Sequence, residues 1–194
     1  MTVTSARLAD PHLENLRLSA RSHAIRVETL CVRLDDRELC WQPGPGRWGI
    51  AQCLDHLVRT ARVYQPRIQA AIEACRAHGW QRRDDYRPTW FGRRFLAAAG
   101  PNGRRKIRAA RVFRPASAPR ADAWREYLEL DAALVRLLEE ADGLDLGRAK
   151  VHSPLSRYLT LRLGEALTML VVHDERHLMQ AERVRSERAF PRAG

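Results

Sequence analysis

Four long stretches of this chain repeat apolar residues every third or fourth position, and none shows the period of two that a half-buried strand requires. In the first, Leu13, Leu16, Ala20, Ala24, Val27, Leu30, Cys31 and Leu34 follow Asp10-Pro11, an N-cap residue with proline at the first helical position. A helix is predicted over 11–35, ended by Asp35-Asp36-Arg37. The second begins near Gly49, runs through Ile50, Leu54, Leu57, Val58, Tyr64, Ile68 and Ile72, and closes around His78-Gly79. Pro66 lies inside it and predicts a kink or a break, because proline lacks the N–H and crowds the preceding turn. The third follows Asp122, a candidate N-cap, with Trp124, Tyr127, Leu128, Leu134, Val135 and Leu138. The fourth, about 157–187, puts Leu163, Leu167, Leu170, His173, His177, Ala181 and Val184 on one face. Four amphipathic helices with two short connections and one long one predict an all-α protein, an up-and-down four-helix bundle. The 194 residues suit one domain spanning 1–194.

The connections differ in character. Residues 40–48, Cys-Trp-Gln-Pro-Gly-Pro-Gly-Arg-Trp, form a loop that Trp41 and Trp48 are expected to pin against the bundle end. Residues 80–120 form a long basic insertion between helices 2 and 3, with short helical turns expected near 90–98. Eleven Lys and Arg between Arg82 and Arg114 face only Asp84 and Asp85, which places +9 of the net +11 in this one segment. Trp80, Tyr86, Trp90, Phe91, Phe95 and Phe113 are interleaved with the arginines, as single-stranded nucleic acid binding would use them. No DNA-reading motif or RNP-like pattern accompanies them. An anionic cosubstrate, such as an acidic low-molecular-weight thiol, and a packed solvated loop are the other readings. No apolar run reaches membrane-spanning length, and Met1 to Arg7 lacks the apolar centre of a signal peptide, so a soluble cytoplasmic protein is expected. Cys31, Cys40, Cys53 and Cys75 form no C-x-x-C pair and are expected to be reduced thiols.

His173 and His177 stand four apart, so a helix directs both from one face, one turn apart, toward the expected core. His56 lies beside the apolar stripe of the second helix. Metal sites in bundles are built from inward-pointing side chains on facing helices, which makes these three candidates to converge. The pair is not a zincin motif, because Asp174 stands where the catalytic Glu follows the first His, and Arg176 excludes His-x-x-Glu-His. Cys53, one turn before His56, is open to three roles: a fourth ligand, a reactive thiol, or a small buried apolar residue. Asp174 and Glu175 fall off the ligand face and suit surface or inter-helix pairing. A contact that orients an imidazole is the other role open to them and to Asp55. Arg176 and Gln180 suit a cavity lining or a helix contact. His12, His23, His78 and His152 have no partner spacing and read as surface or capping residues.

Two segments in this order resemble a known family. Trp41-Gln-Pro-Gly-Pro-Gly-Arg-Trp48-Gly-Ile-Ala-Gln52-Cys-Leu-Asp-His56-Leu57 is similar to the Trp-x-Pro…Trp-Ser-x-x-Gln-x-x-x-His-Leu segment of the DinB/YfiT-like metalloenzymes. Val172-His173-Asp-Glu-Arg176-His177-Leu178-Met-Gln180 is similar to their closing His-x-x-Arg-His-Leu-x-Gln. Between them, Lys106 to Pro115 resembles a basic stretch ending in Phe-x-Pro in one branch. The resemblance implies a four-helix bundle, often a homodimer, whose divalent metal is held by three histidines, corresponding to His56, His173 and His177. Gly49 departs from the family pattern where serine is common, which implies weaker helix capping and no lost ligand. Members resemble thiol-dependent transferases, maleylpyruvate isomerases and hydrolases. The expectation is therefore a metal-dependent enzyme acting on a small molecule through water or a thiol. Three imidazoles suit zinc or nickel first, with iron or manganese as alternatives. The competing expectation is a non-catalytic binding protein, for nucleic acid or as a dimeric module.

Overall fold

The computed structural model describes residues 6–82, 84–103, 109–154 and 159–192. The protein is mostly helical, at 61%. Its elements are α1 (Pro11–Cys31), α2 (Asp36–Cys40), α3 (Ile50–Ala77), α4 (Trp90–Ala99), a 3-10 turn at Arg111–Phe113, α5 (Ala123–Glu140), β1 (Lys150–His152), β2 (Thr160–Arg162) and α6 (Leu163–Arg185). The first helix stops four residues short of the expected 35. Asp35 does not end it but caps α2, in a capping box with Glu38. Asp10 caps α1 through the N–H groups of His12 and Leu13. Asp122 does not cap α5, since its carboxylate is taken by Arg120. α3 runs unbroken through Pro66, because one lost hydrogen bond is outweighed when both flanks pack against α5 and α6. The fourth helix begins at Leu163 rather than 157, preceded by an antiparallel hairpin pairing Val151 with Leu161. Three-residue strands are too short to show an alternating pattern.

The up-and-down order needs correction. α1 runs parallel to α6, as His12 meets Thr168, His23 meets Glu175 and Arg26 meets Glu182. α3 runs parallel to α5, as Arg62 meets Glu126, Gln65 meets the Leu130 carbonyl and Arg76 meets Glu140. α1 and α5 run in opposite directions, with Asp10 beside Asp142 and Arg17 beside Glu139. Parallel neighbours consecutive along the chain require a connection that travels back the length of the helices. The long segment after Gly79 is that return crossover. Glu165, buried in the first turn of α6, accepts from the backbone and hydroxyl of Thr89, and Arg176, three turns on, donates to the carbonyls of Ala98 and Gly100. The crossover therefore follows α6. Two close approaches allow it: a Cβ at Gly92 would strike the Glu165 carboxylate, and one at Gly164 would strike the Tyr86 ring.

The core divides into two apolar clusters. One gathers Leu13, Ile68, Ile72, Leu134, Leu167 and Leu170, and the other Val27, Ile50, Leu54, Leu57, Leu178 and Val184. Each long helix changes cluster at a polar level: Arg17 to His23 on α1, Thr60 on α3, Asp131 on α5 and His173 to His177 on α6. No helix of the described residues is long and apolar enough to cross a membrane.

Candidate metal centre

α3 and α6 bring His56, His173 and His177 together within this polar belt. One ligand atom from each lies within 4.8 Å of the others. His56 Nε2 and His173 Nε2 are 2.9 Å apart, and the His177 ring centroid is 4.6 Å from each of the other two. His56 is 4% exposed and His177 8%, while His173 is half-buried, so the site lies at the edge of the core rather than sealed within it.

Two imidazoles are turned by partners on their far side. His56 Nδ1 lies 2.6 Å from the Phe113 carbonyl. A carbonyl only accepts, so that nitrogen carries the proton and Nε2 presents its lone pair to the cluster. His177 Nδ1 donates to Gln180 Oε1 at 3.1 Å, with the same consequence. Burial lowers the pKa of His56. Burial, then the neighbouring imidazoles, take His173 to about 3 and His177 to about 2. The nearby Ala99 carbonyl opposes this at His173. Neutral imidazoles whose ring nitrogens meet in this way are the form that coordinates a transition metal.

Two features of the site were not legible in the sequence. The Phe113 carbonyl arrives from the crossover, 57 positions along the chain from His56. It is fastened there by Asp55, which is 1% exposed, accepts from the Ala116 N–H at 2.7 Å, and pairs with Arg59 and Arg120. Trp48 packs its ring 5.0 Å from His56 and 5.8 Å from His177, so it roofs the cluster rather than only pinning its loop, while Trp41 stacks edge-on with Phe190. Gly49 is explained by the same loop: a Cβ there would fall 2.0 Å from the Trp41 carbonyl oxygen. Serine is sterically excluded here, and Gln52 Oε1 accepts from the Gly49 N–H instead.

The remaining candidates fall elsewhere. Cys53 is wholly buried among apolar residues, its thiol pushed up to about 12 by burial, and it is not part of the histidine cluster. All four cysteines are free. Asp174 accepts from Tyr127 on α5, and Glu175 binds His23 and Arg26 on α1. His23 is thus a buried hydrogen-bond partner of Glu175 and not a surface residue. His78 reaches back to the Ala74 carbonyl at the end of α3, and His12 meets Thr168. Of the basic segment, Arg83 and 104–108 lie outside the described residues, and with them the first part of the Lys106 to Pro115 motif.

A mostly helical protein with a buried three-histidine cluster able to hold a metal ion is the class these observations define. The family model of the DinB superfamily matches residues 21–181, and the chain belongs to that superfamily. No curated protein and no solved structure matches it.

Proposed function

We propose that His56, His173 and His177 hold one divalent metal ion, zinc or nickel before iron or manganese, and that the protein is a metal-dependent enzyme acting on a small molecule. The observation that carries this reading is the convergence of three neutral imidazoles, two of them oriented by hydrogen bonds to their far nitrogens. Three protein ligands leave a coordination position open, the mark of a catalytic rather than a structural site. An ion bound there supplies a Lewis acid that lowers the pKa of a water or a thiol toward neutrality. Hydrolysis and thiol-dependent transfer are the two reaction classes this serves. The chain's own part is to keep the donors neutral by burial, to fix their tautomers through Phe113 and Gln180, and to shield the site with Trp48.

The four long helices constitute a single four-helix bundle with one crossover, and the protein is a homodimer. Leu18, Ile25 and Val32 support the second point: they are exposed at seven-residue spacing along α1, a stripe suited to another helix. Light scattering at defined concentration tests it. Metal analysis of the purified protein tests the site. About one divalent ion per chain is expected, together with a lower thermal midpoint after chelation. A metal-free protein indifferent to chelator and to added zinc or nickel defeats the reading.

A non-catalytic reading is favoured by one observation. α4 exposes Trp90 and Phe91, with Arg94 lying over the Trp90 ring. It predicts oligonucleotide binding that weakens steeply with salt and survives His56→Ala.

A further inference from the structure

A second chamber bearing polar groups lies in the same belt, on the α5-facing side of α6 that adjoins the histidine face. It is about 10 Å³ in volume and is lined by Gln65 of α3, Tyr127 and Asp131 of α5, and Asp174 of α6, with Leu134 and Leu170 among its apolar walls. That volume takes one occupant the size of a water molecule. Asp131 is 4% exposed and Asp174 7%. Asp131 Oδ1 has no hydrogen-bond partner among the described residues, and burial pushes this carboxyl up to about 7. An isolated carboxylate at such depth is costly unless it is neutralised.

The donors that face the chamber are already committed. The Tyr127 hydroxyl donates to Asp174 at 3.1 Å, and the Gln65 amide donates to the Leu130 carbonyl at 2.8 Å. What remains around the space is acceptors: the Asp131 carboxylate, the Asp174 carboxylate, the Gln65 side-chain oxygen and a Tyr127 lone pair. Arg26, the cation that acts on Tyr127 from α1, is held by Glu175 and Glu182. The polar atoms left in an otherwise apolar lining are all oxygens, and two carboxylates among them match a hard divalent cation, whose charge would hold them ionised against the burial that favours their protonated forms. Gln65 and Leu130 also line an outer cleft of about 380 Å³ between α3 and α5, so the hydrogen bond between them stands as the partition between cleft and chamber.

We propose that this chamber is a second cation site, taking one hard divalent ion such as Mg²⁺, Mn²⁺ or Ca²⁺ on Asp131 and Asp174, with Gln65 and Tyr127 completing the oxygen set. Its chemistry is complementary to that of the histidine cluster: oxygen donors for a hard ion where α6 faces α5, nitrogen donors for a softer ion on the adjoining face. The proposal does not depend on the histidine site being loaded.

The test is titration of the full-length protein, stripped of metal, with Tb³⁺ under aromatic excitation, since Tyr127 lies within the site. The titration is run with and without zinc, followed by displacement with Ca²⁺, Mg²⁺ or Mn²⁺. One saturable Tb³⁺ per chain is expected, unaffected by zinc and by His56→Ala. Asp131→Asn, which keeps the shape of the side chain, is expected to weaken it by at least about 100-fold through the lost ligand charge. Ca²⁺ or Mg²⁺ is expected to raise the thermal midpoint of the natural protein and not that of Asp131→Asn. No saturable binding in the natural protein overturns the proposal, as does binding that survives both Asp131→Asn and Asp174→Asn. A thermal midpoint indifferent to these cations and unchanged or raised by Asp131→Asn also overturns it, because it marks a carboxyl pair neutralised by protons alone. The first result needs no variant, so a variant that fails to fold does not protect the proposal. Loss of zinc binding with Tb³⁺ binding intact defeats the histidine reading alone.

Discussion

Three consecutive residues of α6 serve three different neighbours. His173 turns to His56 on α3, Asp174 to Tyr127 on α5, and Glu175 to His23 and Arg26 on α1. Steps of roughly 100° per residue impose this division on any helix surrounded by others. What differs is how each side is balanced. Toward α1, opposite charges meet and close: Arg26 spans Glu175 and Glu182, and no lone pair is left to converge on a common point. Toward α3, neutral donors converge with no charged partner between them, and two of the rings have their far N–H drawn away by an acceptor, Phe113 for His56 and Gln180 for His177. The first arrangement stabilises the fold by pairing. The second leaves a cluster of donors able to hold a metal ion, which a closed set of ion pairs is not.

The comparison breaks most sharply at the ligands. His56→Ala, His173→Ala and His177→Ala are each expected to lower metal affinity by more than the roughly 10–100-fold typical of outer-shell changes, while Glu175→Gln leaves it unchanged; isothermal titration with zinc or nickel reads both. Asp55→Ala is expected next in size. It frees the Ala116 end of the crossover, so the Phe113 carbonyl no longer holds His56, and metal affinity falls by about 10–100-fold with all three ligands present. An unchanged affinity would mean that α3 alone orients His56. Gly49→Ser forces the Trp41 carbonyl away from its place against α3, at about 1–3 kcal/mol in urea unfolding, a typical cost of overpacking.

These effects also mark how far the sequence could be read. The helices were legible because their stripes are long, and the three histidines because two share a helix face and the third lies beside an apolar stripe. Helix direction was not legible. Parallel or antiparallel packing of α3 and α5 rests on contacts such as Gln65 to Leu130, which no periodicity encodes. The segment between them, read as an insertion by its charge, is the piece the topology requires, and its arginines obscured the part that matters to the site, a backbone carbonyl at Phe113. The buried carboxylates were legible in part. Asp131 shares the stripe of Tyr127 and Leu134, and inter-helix pairing was open to Asp174 and is met by Tyr127, but their shared chamber needs three helices to form.

On the α1 side the effects are smaller. Arg26→Ala is expected to cost about 1 kcal/mol in chemical denaturation, since its pairs are partly exposed. The pH dependence there depends on His23, which is 2% exposed beside Glu175. Burial lowers its pKa below the ordinary 6.5, and the opposing pull of Glu175 does not cancel that. The folded protein therefore binds fewer protons at His23 than the unfolded chain does just below pH 6.5. The stability this neutral ring contributes is present above 6.5 and is lost as pH falls through the lowered folded value. His23→Gln removes the titration, so thermal midpoints of the natural and variant proteins, followed downward from pH 7, are expected to converge. Had Glu175 raised the pKa instead, the natural protein would gain on the variant as pH fell. Diverging curves would then place a charged His23 in the interface and make the α1 side an ion pair throughout.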